Sequence, residues 1–131
     1  TCSLIKQGGT PDLLAVASAH SEQAVVPRTA ECCGFGGDKG FLVPELTQSA
    51  TRVEGAEIRE RLALYAAAAE TGHAEAKAAS SPASDQVHSN GGPAPAAVYS
   101  TCRTCEIGMS RAVGQPVRGI AHLVLEAMER A

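Results

Sequence analysis

Five cysteines carry the chemistry this chain could do, and they fall into three groups: Cys2 alone, the adjacent pair Cys32-Cys33, and Cys102-x-x-Cys105. A C-x-x-C turn lets two thiolates point at one metal centre. Placing the second, Cys105, at a helix start adds the backbone N–H groups and the positive dipole end found there. Adjacent cysteines are harder to use at one tetrahedral ion, because successive side chains diverge, whereas two neighbouring irons of a cluster can take one each. Gly34, Gly36, Gly37 and Gly40 follow the pair. They permit close backbone approach and N–H contacts to sulfide or thiolate. Spacing and surroundings favour an iron–sulfur cluster with Cys2, Cys32, Cys33, Cys102 and Cys105 as ligands and Gly34, Gly36 and Gly37 beside it.

Two other chemistries use part of the same set. A structural zinc site takes four ligands in closed tetrahedral geometry and leaves one cysteine over. A dithiol–disulfide centre at Cys102 and Cys105 leaves Cys2 and the adjacent pair without a task. An odd cysteine count also argues against a complete disulfide framework. The glycine loop is not a phosphate cradle: Lys39 stands where a dinucleotide fingerprint after Gly34-x-Gly36 needs its third glycine, and no Gly-Lys precedes a Ser or Thr. His20, His73, His88 and His122 are dispersed and take surface or packing roles. Asp38 and Lys39 read as solvated loop charges placed where they could tune a cluster.

The elements that must position these residues follow from pattern. Thr10 and Pro11 open a short helix, and Ala24-Val25-Val26-Pro27 reads as a brief buried strand before the glycine-rich loop of residues 31–40. A helical pattern runs from Pro44 to Ala67, with Leu46, Ala50 and Val53 on one face and Ile58, Leu62 and Tyr65 repeating it after a slip near Gly55. Residues 67–97 are rich in Ala, Ser, Pro and Gly, which predicts a flexible low-complexity insertion. Ala97-Val98-Tyr99 reads as a strand and Cys105 to Val113 as a helix stopped by Gly114 and Pro116. Val117-Arg118 is a last strand, and Ile120, Leu123, Val124, Ala127 and Met128 mark an amphipathic terminal helix. Strand, cysteine loop and helix thus recur twice. That predicts a small, three-layer-like α/β domain with a short, mostly parallel sheet, helices around it, and both cysteine loops at one sheet edge.

At 131 residues the chain is one domain, 1–131, and its opening Thr1 points to a piece of a longer protein. Two Phe, two Tyr and no Trp leave little to stack on bases, and a net charge of -3 without a basic cluster disfavours nucleic acid. No apolar run approaches a transmembrane segment and no signal peptide opens the chain, so a cytoplasmic location with reduced thiols is expected.

The cysteine pattern resembles a known family. Cys2, Cys32-Cys33-Gly34 and Cys102-x-x-Cys105 match the cysteine-rich CCG domain. That domain occurs in heterodisulfide reductase, in the glycolate oxidase iron–sulfur subunit, and at the C-terminus of bacterial FAD-linked 2-hydroxy-acid (D-lactate type) dehydrogenases. The last group is the most similar in wording, through Glu31-Cys32-Cys33-Gly34-Phe35-Gly36-Gly37-Asp38-Lys39-Gly40-Phe41, Pro44-Glu45-Leu46-Thr47 and Thr104-Cys105-Glu106-Ile107-Gly108-Met109. The resemblance spans nearly the whole chain except residues 67–97. It implies a 4Fe-4S cluster, of the non-cubane type bound by all five cysteines in part of the family. It further implies a parent that oxidises a 2-hydroxy acid at FAD, a flavin-binding domain or subunit as partner, and electron relay onward to an acceptor. This chain itself would not be catalytic, and peripheral membrane attachment would come through the parent complex. The sequence departs from the family in lacking a flavin-binding half, a second motif copy and the strand before the first cysteine, and in the long insert.

Overall fold

Glycine and proline punctuate the chain where its helices start and stop. A computed structural model describes residues 2–70 and 96–130. Helix α1 (Cys2–Lys6) gives way to Gly8 at φ 72, and Gly9 then caps α2 (Thr10–His20), with Pro11 in its first turn. Thr10, the expected cap, is instead the first residue inside that helix. After the cysteine-bearing loop come a single turn, α3 (Lys39–Leu42), and the long helix α4 (Pro44–Glu70), which starts on its proline. Strand β1 (Val98–Ser100) leads to α5 (Arg103–Val113), then β2 (Val117–Gly119) and α6 (Ile120–Arg130). Gly114 ends α5 in the left-handed conformation at φ 79, and its N–H donates to the Ser110 carbonyl, which is the expected stop.

The two strands pair in parallel with Val98 opposite Val117, Tyr99 opposite Arg118 and Ser100 opposite Gly119. With α5 between them they form a βαβ unit, the connection that parallel strands require. The chain is therefore a small α/β domain with a short parallel sheet and helices around it. Tyr99 and Arg118 both reach Glu126 on α6, the phenol donating at 2.8 Å and the guanidinium at 2.5 Å, which holds the last helix against the strands.

The main core lies where α4 and α5 meet the sheet, and consists of Ile58, Met109, Val113 and Val117 with Leu62 and Val98 at its edge. Over its first half the buried face of α4 is not the one the apolar spacing indicates, whereas Ile58 and Leu62 pack into the core as expected. Thr47, Thr51, Gly55 and Ile58 are buried, whereas Leu46 and Val53 are 50% and 51% exposed. Close approach of the two helices explains the difference. A Cβ on Gly55 would stand 2.9 Å from the Ala112 Cβ, and one on Gly108 would stand 2.9 Å from the Thr47 Cγ2. Small residues permit that seam where leucines would hold the helices apart, so the slip at Gly55 is itself the contact. The buried Thr51 hydroxyl is satisfied by donating to the Thr47 carbonyl at 2.7 Å.

A second correction concerns Ala24-Val25-Val26-Pro27, which forms no strand. The backbone donors that follow are taken by side chains of α4 instead of a sheet neighbour: Arg28 and Thr29 N–H donate to Glu57, and Glu31 N–H to Glu54. Among the described residues the strand, cysteine loop and helix sequence therefore occurs once, at β1–Cys102–α5. Helix α4 also continues past the expected Ala67 to Glu70. The rest of the expected insertion, residues 71–95 with His73 and His88, lies outside the described residues, as does the Cys2 side chain. Among the described residues no helix is long and apolar enough to cross a membrane.

Candidate functional site

Two elements of different origin bring thiols together. The first is the loop that turns over α4. Gly34 adopts φ 64, and a Cβ there would lie 2.7 Å from the Ala50 Cβ and 3.0 Å from the Leu46 carbonyl, so glycine is required both by conformation and by space. Phe35 follows with 0% exposure, its ring edge-on to Phe41 at 4.9 Å and packed so tightly on Gly40 that no Cβ fits between. This anchor fixes the loop and leaves Cys33 buried beside it.

The second element is the end of β1. It delivers Cys102 as the extended N-cap of α5 (φ -143, ψ 127), whose carbonyl accepts the Glu106 N–H at 3.0 Å. One turn further on, Cys105 is buried against Cys33. Their Sγ atoms are 3.1 Å apart, although the residues are 72 positions apart in sequence. Phe35 completes this buried cluster, with Cys102 and Ile107 packed against it.

Cys32 does not join it. It is exposed and borders a separate dimple of about 190 Å³ with Ile5, Lys6, Ala30 and Glu31. The backbone of α1, the helix that begins at Cys2, thus lies beside Cys32. Of the five expected ligands, Cys33, Cys102 and Cys105 are brought into one place, Cys32 stands apart next to α1, and the Cys2 thiol is outside the described residues. Of the three glycines expected beside a cofactor, Gly34 packs against α4, while Gly36 (φ 56) and Gly37 (φ 69) shape the exposed turn into α3. Asp38 caps α3 through its carbonyl, and Asp38 and Lys39 are both exposed. His20 ends α2 and His122 is exposed on α6.

The thiols differ in acidity. The Thr104 hydroxyl, 3.1 Å from the Cys102 Sγ, is the main cause that brings this thiol down to about 7. The Cys105 N–H adds to it without closing a formal cap hydrogen bond, and burial opposes both. Burial pushes the Cys105 thiol well above its ordinary value, and the nearby Cys33 sulfur pushes it further the same way. The helix start therefore stabilises a thiolate at Cys102, while the interior keeps Cys105 protonated.

Two thiols at 3.1 Å are too far apart for a disulfide, whose bond is about 2.05 Å. They are also nearer than the roughly 3.8 Å that two sulfurs reach on a tetrahedral zinc with Zn–S of about 2.3 Å. Among the described residues no three His, Cys, Asp or Glu side chains converge to hold an ion. The donor chemistry nevertheless fits a thiophilic group, since the buried pair and Cys102 are all thiols presented by two separate elements.

Sequence reasoning missed three glutamates that position these elements. Glu57 and Glu54 hold the segment leading into Cys32-Cys33, and their carboxylates come from α4 rather than from any strand. Glu106, adjacent to Cys105, is 8% exposed, receives Arg103 Nη1 at 2.6 Å, and sets its Oε1 against Gly119 at the end of β2. The i,i+3 spacing of Arg103 and Glu106 in the first turn of a helix was the available signal for the last of these. Compared with protein-family models, with curated proteins and with solved structures, the chain matches none of them.

Proposed function

We propose that this chain is an iron–sulfur electron-transfer module of a larger FAD-linked 2-hydroxy-acid oxidoreductase. Cys33, Cys102 and Cys105 form the inner part of the ligand set, and Cys32 and Cys2 complete it. The observation that carries the reading is the meeting of Cys33 and Cys105 at 3.1 Å across 72 positions, with Cys102 packed beside them. Packing alone has no need of three cysteines gathered from two elements, whereas thiolates are the ligands such clusters use. The cluster, when bound, supplies one-electron transfer; the chain's own residues anchor the loop through Phe35, present Cys102 at a helix start and shield the pair from water. Phe41, Leu42 and Leu46, exposed next to that loop at 60%, 75% and 50%, are in keeping with a flavin-binding domain or subunit docked there.

The test is anaerobic purification of the chain with assays of iron, sulfide and zinc, and visible and EPR spectra. The expected result is iron and sulfide in comparable amounts and a spectrum altered by Cys33→Ser. One zinc per chain with no sulfide, even after anaerobic reconstitution, overturns the reading in favour of a structural zinc module.

The 3.1 Å separation of two free buried thiols favours a second reading. Cys33 and Cys105 would form a disulfide, giving two electrons and two protons to an incoming disulfide that leaves as two thiols. Thiol trapping and mass spectrometry after mild oxidation in the absence of iron distinguish it. A Cys33–Cys105 disulfide reducible by dithiothreitol supports this reading, and two free thiols at those positions overturn it.

A further inference from the structure

The seam between α4 and α5 opens into a groove of about 430 Å³, within the roughly 300–1,000 Å³ of small-molecule sites. Arg52 and Arg59 line it from α4 and Arg111 from α5, with Gln48 among them and the buried Thr47, Thr51 and Gly108 closing its inner side. Among the described residues, no acidic side chain lines it. Three other arginines are paired with glutamates: Arg61 with Glu57, Arg103 with Glu106 and Arg118 with Glu126. In the groove, Arg59 donates to the Ala112 carbonyl. The Arg52 and Arg111 guanidiniums have no hydrogen bond or ion pair with any described residue. The Thr47 hydroxyl, buried on the inner side, also has no hydrogen-bond partner among the described residues. In a chain of net charge -3, three guanidiniums are thus gathered on one concavity with no carboxylate among its described lining residues.

We infer that this groove binds a small organic polyanion, a molecule bearing two or more carboxylate or phosphate groups, through Arg52, Arg59 and Arg111. Guanidinium forks match the paired oxygens of carboxylate and phosphate, and three of them together favour a ligand with more than one negative charge. A concave site of this volume suits a small molecule. A nucleic acid is disfavoured, because no aromatic residue lines the groove for base stacking. Gly108 belongs to both the groove and the thiol site: a Cβ there would stand 2.9 Å from the Thr47 Cγ2 and 3.8 Å from the Cys33 Cβ. The ligand therefore sits one residue layer from the buried thiols. The inference stands on the arginines alone and holds whether or not the cysteines carry a cluster.

Calorimetric titration of the full chain with citrate, pyrophosphate and acetate, at about 20 mM and about 200 mM salt, tests it. One-to-one binding of citrate or pyrophosphate is expected, weakened by salt, with acetate inert. Arg52→Gln and Arg111→Gln should each weaken binding about tenfold with unchanged melting, while Arg130→Gln, remote on α6, should leave it as it is. Citrate alone identifies a carboxylate ligand, pyrophosphate alone a phosphate ligand, and both together the shared oxyanion chemistry. Absence of binding by either, wild-type affinity in both groove variants, or an equal loss in Arg130→Gln overturns the inference.

Discussion

The Glu57 carboxylate accepts the Thr29 hydroxyl at 2.7 Å and the Thr29 N–H at 3.1 Å, tying the segment before the cysteine pair to the middle of α4. The Arg28 N–H adds a third bond at 3.0 Å and Arg61 a fourth from the next turn of the helix. This clamp, rather than a sheet, sets where Cys32 and Cys33 begin. Burial acts to raise the Glu57 carboxyl, but these donors outweigh it and hold the group at about 2, down from an ordinary 4.5.

A depressed carboxyl pKa contributes stability above its unfolded value and loses that contribution as pH falls through the folded one. The window for Glu57 is therefore pH 4.5 down to about 2. At neutral pH, Glu57→Gln should cost about 1–2 kcal/mol, since the donors keep an acceptor but lose its charge. The gap between variant and parent should close on acidification across that window. Urea unfolding at about pH 7 and about pH 2.5 measures it; a gap of equal size at both would show that the carboxylate charge is not what secures the loop.

The glycines of the cysteine loop separate into two kinds, and alanine tells them apart. Gly34 and Gly37 both have positive φ, which costs a residue with a Cβ about 1–2 kcal/mol. Around Gly37 there is nothing within 4 Å, so Gly37→Ala should lose only that amount. Gly34→Ala adds a contact at 2.7 Å with Ala50 and one at 3.0 Å with the α4 backbone. It should lose several kcal/mol or lift the loop off the helix, separating Cys33 from Cys105. Comparing the melting of the two variants, and the ease of crosslinking the thiol pair, checks both halves. Equal losses would mean that Gly34 does not need its space.

How far the sequence was legible follows from which signals are local. The stop at Gly114, the strands at Val98 and Val117 and the amphipathic α6 rest on turn chemistry and periodicity, and these forms are present. Cys33 and Cys105, from the two cysteine motifs, do meet, but Cys32, expected beside Cys33 in the same site, is exposed and apart. The packing face of α4 was readable only in its second half, at Ile58 and Leu62. Ahead of Ile58, its contact with α5 is made by Thr47, Thr51 and Gly55, which an apolar count passes over, and close approach decides that face only when the partner helix is known. The coil at residues 24–27 was misread for a similar reason. Its β-branched residues suit a strand, but among the described residues no strand lies beside it, and distant glutamates on α4 bond the donors that follow.

Gly55→Ala tests that close approach directly. On an isolated helix the change would stabilise by about 1 kcal/mol. Here the new methyl would lie 2.9 Å from the Ala112 Cβ and 3.2 Å from the Ala112 carbonyl oxygen, against backbone that cannot yield cheaply. A net loss of about 1–3 kcal/mol is expected, and Arg59, which donates to that same carbonyl, should lose its bond as the helices part. A gain in the unfolding midpoint would show that α4 and α5 can separate without consequence.

Thr47→Val makes the opposite prediction, a core substitution that stabilises. Thr47 is 3% exposed and its hydroxyl, unlike that of Thr51, has no hydrogen-bond partner among the described residues. A buried donor without a partner costs about 1–3 kcal/mol. Valine keeps the shape that fits beneath Gly108 and removes the unmet group, so the variant should gain about 1 kcal/mol and unfold at higher denaturant with an unchanged slope. Thr51→Val, which breaks the bond to the Thr47 carbonyl, should lose about the same amount. The contrast decides the point, because the two residues sit one turn apart on the same buried face and differ chiefly in whether the hydroxyl is used. A loss for Thr47→Val equal to that of Thr51→Val would mean that the Thr47 hydroxyl has found a partner, and that the seam between the helices is polar rather than dry.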